Sequence, residues 1–397
     1  MVAKTAGRRR LRIALALALA GRYQTAFVPT LRGERDGPGF MSPLVSVIIP
    51  AFNAAPTIAR AIGSARAQTL TDIEILVIDD GSQDSTAELA DAAASIDDRL
   101  RVFRQPNAGV AGARATGLAV ARGEYVAPLD ADDIWHPEKL ERQVRAIRNA
   151  PLRTGLAYNW YRRIDDHDRV ISGSSSPVLE GPVLHRHLEW NFISNGSNIL
   201  VPTALARAVG YSAPLDGSTR QGAEDYLFQL RIARDHRFVC VPAWLTGYRT
   251  SGDGLSTKVE AMLRAHIAMY AQIESECSVS APTVRPVIAR RHAQLRVELA
   301  RHRLLRGAAG DALFLLLRAL GYSPAAAGGH VLTQARLAWE MLLRTQGGSR
   351  GLDQRPARVF DDFGPEEPDG VWRPKRRRAL IHWLSQLDHA ETVHGQD

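Results

Sequence analysis

From Val45 onward the chain alternates short, largely apolar runs with segments whose apolar residues recur every three to four positions. The runs 45–49, 73–78, 100–103 and 125–129 read as strands, because brief apolar stretches bounded by turn residues suit strands buried on both faces. The segments 55–68, 85–94 and 110–121 read as helices; in the first, Ile58, Ile62 and Ala65 share a face. Regular alternation of strand and helix implies right-handed crossovers. The expected fold is therefore α/β, a Rossmann-like and mostly parallel sheet with helices on both faces.

Past Trp135 the pattern loosens into a helix at 137–148, strands near 156–160 and 198–201, and a helix at 225–235. From 258 to about 344, segments rich in Ala, Leu and Arg read as amphipathic helices. The run Leu313-Phe-Leu-Leu-Leu317 is cut by Arg318 and is core or interface rather than a bilayer span, which needs about 20 apolar residues. The expected organisation is an extension at 1–40, an α/β domain at 41–257, a helical region at 258–346, and a linker with a charged tail at 347–397.

Charge changes this picture in one place. The chain carries a net +8, but residues 1–40 alone carry +6, so the remainder is nearly neutral and a nucleic-acid partner is not expected. Arg8-Arg-Arg-Leu-Arg12 followed by Ile13-Ala-Leu-Ala-Leu-Ala-Leu-Ala resembles the basic and apolar parts of a secretory signal. An upstream extension of the reading frame, with Met41 as the start, and an ordinary helix are the other readings. Near the C-terminus an acidic cluster at 361–369 precedes Arg373-Pro-Lys-Arg-Arg-Arg378, either a solvated tail paired with its acidic neighbour or a membrane-surface patch. Two cysteines, Cys240 and Cys277, are too few for a disulfide framework and fit a reducing compartment. The expected location is the cytoplasm, with peripheral association at the inner face of the membrane allowed.

Candidate chemistry sits at strand ends. Asp130 and Asp132 follow the fourth apolar run, where open α/β sheets bind ligands, and their spacing lets one carboxylate reach a ribose while the other holds Mg2+ or Mn2+. Taken alone, Asp-Ala-Asp is equally a helix cap or turn. At the second strand end stand Asp79 and Asp80, followed by Gly81 for the turn and by Asp84 or Ser85 as a cap. Arg114, early on the 110–121 helix, points toward the same edge, where it can contact a base or phosphates.

An ordered series of segments resembles the family 2 glycosyltransferases of the GT-A fold. They are Val-Ser-Val-Ile-Ile-Pro-Ala-Phe-Asn at 45–53, Val-Ile-Asp-Asp-Gly-Ser at 77–82, Asn-x-Gly-x-x-x-Ala-Arg at 107–114, Leu-Asp-Ala-Asp-Asp at 129–133, Gly-Ala-Glu-Asp at 222–225 and Gly-Tyr-Arg at 247–249. The resemblance covers about 44–256. It implies a nucleoside edge at Pro50, Ala51, Phe52, Asp79 and Asp80, Arg114 near the base, Asp130 on the ribose, Asp132 on the cation and Asp225 as catalytic base. The implied reaction is inverting transfer from a nucleoside-diphosphate sugar, with a UDP-sugar as the expected donor, to a saccharide or lipid-linked acceptor of the cell envelope. Asp225 also reads as a first-turn helix charge. Many relatives carry a His after Tyr-Arg, but 247–256 has none, which leaves Asp253 or water as a third ligand.

Acceptor and sugar specificity is expected from 155–220, including Trp160, His185, His187, Trp190 and Asn195, the two His as a sugar-contacting or surface pair. Two rivals remain. A nucleotidyltransferase normally needs a Gly-rich basic loop after its first strand, and Pro50-Ala-Phe-Asn-Ala-Ala is not one. The other is a sugar-nucleotide-binding protein without turnover.

Overall fold

A computed structural model describes residues 42–173, 177–213, 222–250, 259–277, 283–346, 358–366 and 382–389, with side chains to residue 335 in the last long helix. The extension 1–40, the basic run 373–378 and Asp253 lie outside the described residues.

The first half builds as the alternation predicts: β1 (Val45–Ala51), α1 (Ile58–Arg66), β2 (Ile73–Asp79), α2 (Thr86–Ala94), β3 (Leu100–Arg104), α3 (Gly109–Val120) and β4 (Tyr125–Pro128). β1 and β2 are buried along their whole length. Successive side chains on a strand face opposite ways, and the core divides accordingly. Val45, Val47, Ile49, Ile75 and Val77 join one apolar cluster, whereas Ile48, Leu76 and Ile78 join another on the opposite face. Two buried faces explain why these strands read as continuous apolar runs rather than alternating ones.

The second half is less regular: β5 (Ile134–Trp135), α4 (Lys139–Arg148), β6 (Thr154–Ile164), β7 (Val170–Gly173), α5 (Leu184–Glu189), β8 (Ile199–Pro202), α6 (Thr203–Val209), α7 (Glu224–Asp235) and β9 (Arg237–Arg249). The nine strands form one curled sheet in the order β3-β2-β1-β4-β8-β6-β9-β5, with β7 beside β6. β3-β2-β1-β4 are parallel and so are β6 and β9, while β8 enters antiparallel to both β4 and β6. The fold is thus the expected α/β GT-A arrangement, with parallel blocks joined through an antiparallel strand. Four helices follow: α8 (Val259–Cys277), α9 (Val284–Leu305), α10 (Ala309–Tyr322) and α11 (Pro324–Gln346).

Two C-terminal pieces return to the α/β layer. Phe360 is buried with Ile134 and Ile164, and the Trp244 amide donates to the Pro365 carbonyl at 2.8 Å. The acidic cluster pairs with this layer, Asp361 with Arg60 at 3.0 Å and Glu366 with Arg142 at 3.0 Å. The short helix at 382–389 brings Asp388, 2% exposed, onto Arg186 at 2.6 Å and His185 at 3.0 Å.

Candidate functional site

The parallel strands deliver their C-terminal ends to one rim. Ala51 pairs with Asp79 across β1 and β2, and the Leu129 amide donates to the Ile48 carbonyl, so the residues after β4 emerge beside those after β1. Pro50 and Ala51 are buried in the strand, while Phe52 stands 45% exposed at its tip.

The loop beyond β2 is braced by its own polar groups. Asp79 accepts from the Ser82 amide at 3.2 Å. Asp80 accepts from Gln105 Nε2 at 2.7 Å and the Ala108 amide at 2.8 Å, which ties the β2 loop to the start of α3. Gly81 turns with φ +77°, and a side chain there would press on the Asn107 amide at 3.2 Å. Asn53 and the 82–83 turn exchange hydrogen bonds at 3.0 and 2.8 Å. Ser85 takes the N-cap position of α2 without a side-chain cap bond, while the preceding Asp84 holds the Thr86 amide at 3.0 Å and the Ala55 amide at 3.1 Å.

Behind this rim lies a chain of charges. Arg114, 2% exposed, binds Asp130 at 2.5 Å and Glu224 at 2.9 Å. Both of its amino groups are engaged by carboxylates, so Arg114 ties Asp130 to the start of α7. These carboxylates hold the guanidinium pKa above its ordinary value despite burial, which acts the other way. Gly196 makes this approach possible, since a side chain there would lie 2.9 Å from the Arg114 amino group and 3.7 Å from Asp225 Cβ. Asp225 therefore shares the recess of Arg114 and Asp130. Burial, reinforced by the negative Glu224 and Asp130 and opposed by Arg114, pushes its carboxyl up to about 7. Among the described residues its carboxylate accepts only from the Tyr226 amide, at 2.7 Å.

The Asp130–Asp133 turn assigns three carboxylates three environments. Asp133 is fully buried, accepting from Ser197 Oγ at 2.6 Å and the Arg249 amide at 2.9 Å. Ser197 Oγ also receives the Asp130 amide at 3.0 Å, and its carbonyl receives Trp135 Nε1 at 2.9 Å. Arg249 Nε donates to the Asp132 carbonyl at 2.8 Å, and its amino group pairs with Asp168, which Arg60 also meets at 2.8 Å. Asp132 is exposed, and among the described residues no side chain pairs directly with its carboxylate, Arg249 and Arg114 acting on it only at a distance. Desolvation within the cleft and the neighbouring Asp130 push its carboxyl up to about 6. Tyr248 faces the same group: burial first, then Asp133, Asp130, Asp225 and Asp132, raise its phenol. One ring thus senses the predicted metal-side, ribose-side and base carboxylates together.

A hard cation favours carboxylate and phosphate oxygens. Asp132 and the outer oxygen of Asp130 fit it in kind, but among the described residues no three His, Cys, Asp or Glu side chains gather closely enough to hold an ion alone. The remaining ligands would be diphosphate oxygens and water.

The specificity candidates divide. His185 and His187 are wholly buried, which overturns their reading as a sugar-contacting or surface pair. His185 lies between Asp388 and Thr283 Oγ1 at 2.9 Å, and His187 meets Gln229 at 3.1 Å, its pKa lowered by burial to about 3. Trp160 and Trp190 are half-buried, Trp160 donating to the Pro177 carbonyl at 3.1 Å. Asn195 is buried next to Gly196, with neither side-chain polar atom bonded among the described residues. Glu224, Ser197, Arg249 and Tyr248 were not assigned roles by sequence reasoning. Glu224, Tyr248 and Arg249 stood inside quoted motifs, and that was their only signal.

The profile of glycosyl transferase family 2 matches residues 46–197. An uncharacterised glycosyltransferase of Rickettsia typhi is 33% identical over 178 residues, 43% of this chain and 53% of that protein. One from Nostoc is 37% identical over 154 residues, 38% of this chain and 46% of that protein. The chain thus spans about half the length of these curated relatives. Among solved structures, S. aureus TarS 1–349 in complex with UDP-GlcNAc has TM-score 0.51 at 18% identity, over 72% of this chain and 88% of that one, a likeness of fold.

Proposed function

We propose that the protein transfers a sugar from a nucleoside-diphosphate sugar, with a UDP-sugar as first choice, to a hydroxyl of a saccharide or lipid-linked acceptor, with inversion and with help from a divalent cation. The observation that carries this reading is Asp225: a carboxyl beside Arg114 and Asp130, raised to about 7, with one short-range backbone bond. A general base works best when its pKa lies near the operating pH, and deprotonating the attacking hydroxyl needs one such group. A single displacement inverts the anomeric centre, so no second catalytic carboxylate is required.

Asp132 and Asp130 are the residues suited to hold Mg2+ or Mn2+ with the donor's diphosphate. When bound, the cation supplies Lewis-acid neutralisation of the departing diphosphate. Asp79, Asp80, Pro50, Ala51 and Phe52 border the nucleoside, with Asp79 and the exposed Phe52 nearest its base and Asp80 keeping the loop in shape. Arg114 fixes the position of Asp130. TarS being solved with UDP-GlcNAc favours UDP as the first nucleotide to try. A nucleotidyltransferase is disfavoured by Pro50-Ala-Phe-Asn after β1, where a basic Gly-rich loop would hold a triphosphate. A cytoplasmic protein acting at the membrane face suits an envelope acceptor.

The test is a panel of nucleoside-diphosphate sugars with and without Mn2+, followed by thermal shift. Ligand at about 100 times its Kd should add about 2.7 kcal/mol of stability, visible as a rise in Tm for one donor only when metal is present. No donor raising Tm, or an equal rise without metal, contradicts the reading.

A further inference from the structure

Helix α10 (Ala309–Tyr322) is amphipathic in the inverted sense. The residues it buries are Ala312 and Ala319, whereas Leu313, Phe314 and Leu317 are each 60% exposed and Leu320 is 46% exposed. These positions fall at i, i+1, i+4 and i+7, one contiguous strip opposite the alanines that let α10 pack closely on α9. The strip has company. Leu304 and Leu305 close α9 with 59% and 75% exposure, and Val331 and Leu332 on α11 show 44% and 72%. Soluble monomers seldom expose so many large apolar side chains together unless something covers them.

Charge selects the occupant. Residues 284–346 hold ten arginines against Glu298, Asp311 and Glu340, a net of +7. With +6 in 1–40, the rest of the chain is left at −5, so its near-neutrality outside the N-terminus conceals a net-basic helical region, in which Arg290 and Arg303 pair with Glu189 and Glu260 and the exposed arginines carry the remaining charge. Arg301, Arg306 and Arg318 are exposed beside the apolar row, Arg318 lying 5.9 Å from the Phe314 ring. A second copy of the same face would bring like charges together, and the extension 1–40 is equally basic. A nucleic acid would use the arginines but leave the leucines in water. A basic rim around a Leu and Phe strip matches a helix lying in the headgroup region of an anionic bilayer, apolar side inward. No described helix is long and apolar enough to cross a membrane.

We infer that the face formed by α10, the end of α9 and the start of α11 docks on an anionic lipid surface. The inference is independent of the sugar-transfer reading, because it concerns the helical region alone.

The full chain is labelled with an environment-sensitive fluorophore at Leu317→Cys, and separately at Ile96→Cys, an exposed site on the α/β domain; the native Cys240 and Cys277 are buried and unreactive in the fold. Vesicles contain phosphatidylcholine with or without about 30% phosphatidylserine, enough to give a negative surface potential. The expected result is a blue shift at position 317 only, on anionic vesicles only. Leu313→Ser/Phe314→Ser with an unchanged Tm should lose about tenfold in vesicle partitioning, because apolar insertion adds to the electrostatic attraction. Arg306→Glu/Arg318→Glu should lose a comparable factor on anionic vesicles.

A probe at 317 that stays water-like while the protein sediments with vesicles would assign binding to other basic segments and overturn the inference. So would a dimer that dissociates on the Ser substitutions, which would make the face a self-association surface. RNA binding that the Ser substitutions leave intact, without vesicle binding, would overturn it as well.

Discussion

The two ends of the same parallel strands treat buried acid in opposite ways. At the N-terminal end of β2, Glu74 is 3% exposed and fully satisfied: Ser46 Oγ at 2.7 Å, the Arg122 amide at 2.7 Å, and guanidinium groups of Arg101 at 2.6 Å and Arg122 at 3.0 Å. Although burial opposes it, these partners hold its pKa below the ordinary carboxylate value. At the C-terminal end, Asp225, Asp132 and Asp133 are raised, chiefly by desolvation and then by neighbouring carboxylates: Glu224 and Asp130 act on Asp225, Asp130 on Asp132, and Asp132 and Asp130 on Asp133. One end spends its acid on stability. The other keeps acid under repulsion, which a cation, a diphosphate or a proton relieves, and functional sites are where such perturbed groups collect.

The contrast breaks most sharply at Asp225. Asp225→Asn should lower kcat by roughly 10²–10⁴-fold, the usual contribution of general-base catalysis. Nucleotide Kd, measured by calorimetry with Mn2+, should stay within about threefold, because the substitution leaves the nucleoside edge intact. Equal loss of binding and turnover would remove Asp225 from the base role.

At the other end, Glu74→Ala leaves Arg101 and Arg122 without their shared partner and the Ser46 hydroxyl without its acceptor. It should cost about 3–5 kcal/mol by urea denaturation, with the kcat of the remaining folded protein unchanged. The pH dependences have opposite sign. Glu74, with its folded pKa depressed, adds stability that is present above about pH 4.5 and lost as pH falls through its lower folded value. For Asp225 the folded pKa is raised from 3.8 to about 7, so metal-free stability declines as pH climbs between those values. Asp225→Asn should flatten that decline, and Glu74→Gln should flatten the acid limb instead. Both are read from stability measured across pH 3 to 8, the Asp225 change amounting to about a few kcal/mol for a shift of that size.

The sequence exposed the two ends unequally. β1 and β2 were legible because both faces are buried, and Asp79, Asp130 and Asp225 because each closes a strand or opens a helix. β9 escaped: Pro242 and Trp244 interrupt its apolar pattern, and its pairing with β6 absorbs several register shifts. Ser197 escaped for another reason, since its partner Asp133 lies 64 residues away and no local period reports such a contact, and Tyr248, though inside the Gly-Tyr-Arg segment, carried no local sign of its carboxylate neighbours. His185 and His187 misled because alternate spacing resembles an exposed pair. The burying groups come from Asp388 and Gln229, far along the chain. For Arg114, the ion pair with Glu224 was not foreseen, because Glu224 lies 110 residues further along the chain.

The smallest effect is expected at the surface. Arg60 meets Asp361 at 3.0 Å with both side chains more than half exposed. Arg60→Ala should cost no more than about 1 kcal/mol in stability and vanish into error at high salt, the usual behaviour of an exposed pair. A much larger loss would mean that the link from Arg60 through Asp168 to Arg249 steadies the Asp132 loop, and would extend the functional end of the comparison outward.

The direct measurement is the titration of the Asp225 carboxyl in the metal-free protein, followed by carboxyl-carbon NMR and assigned by the signal missing from Asp225→Asn. A midpoint near 7 is predicted, moving when Asp130→Asn removes one of its negative neighbours. A midpoint near the ordinary value of 3.8, insensitive to Asp130, would contradict the shared recess on which the account rests.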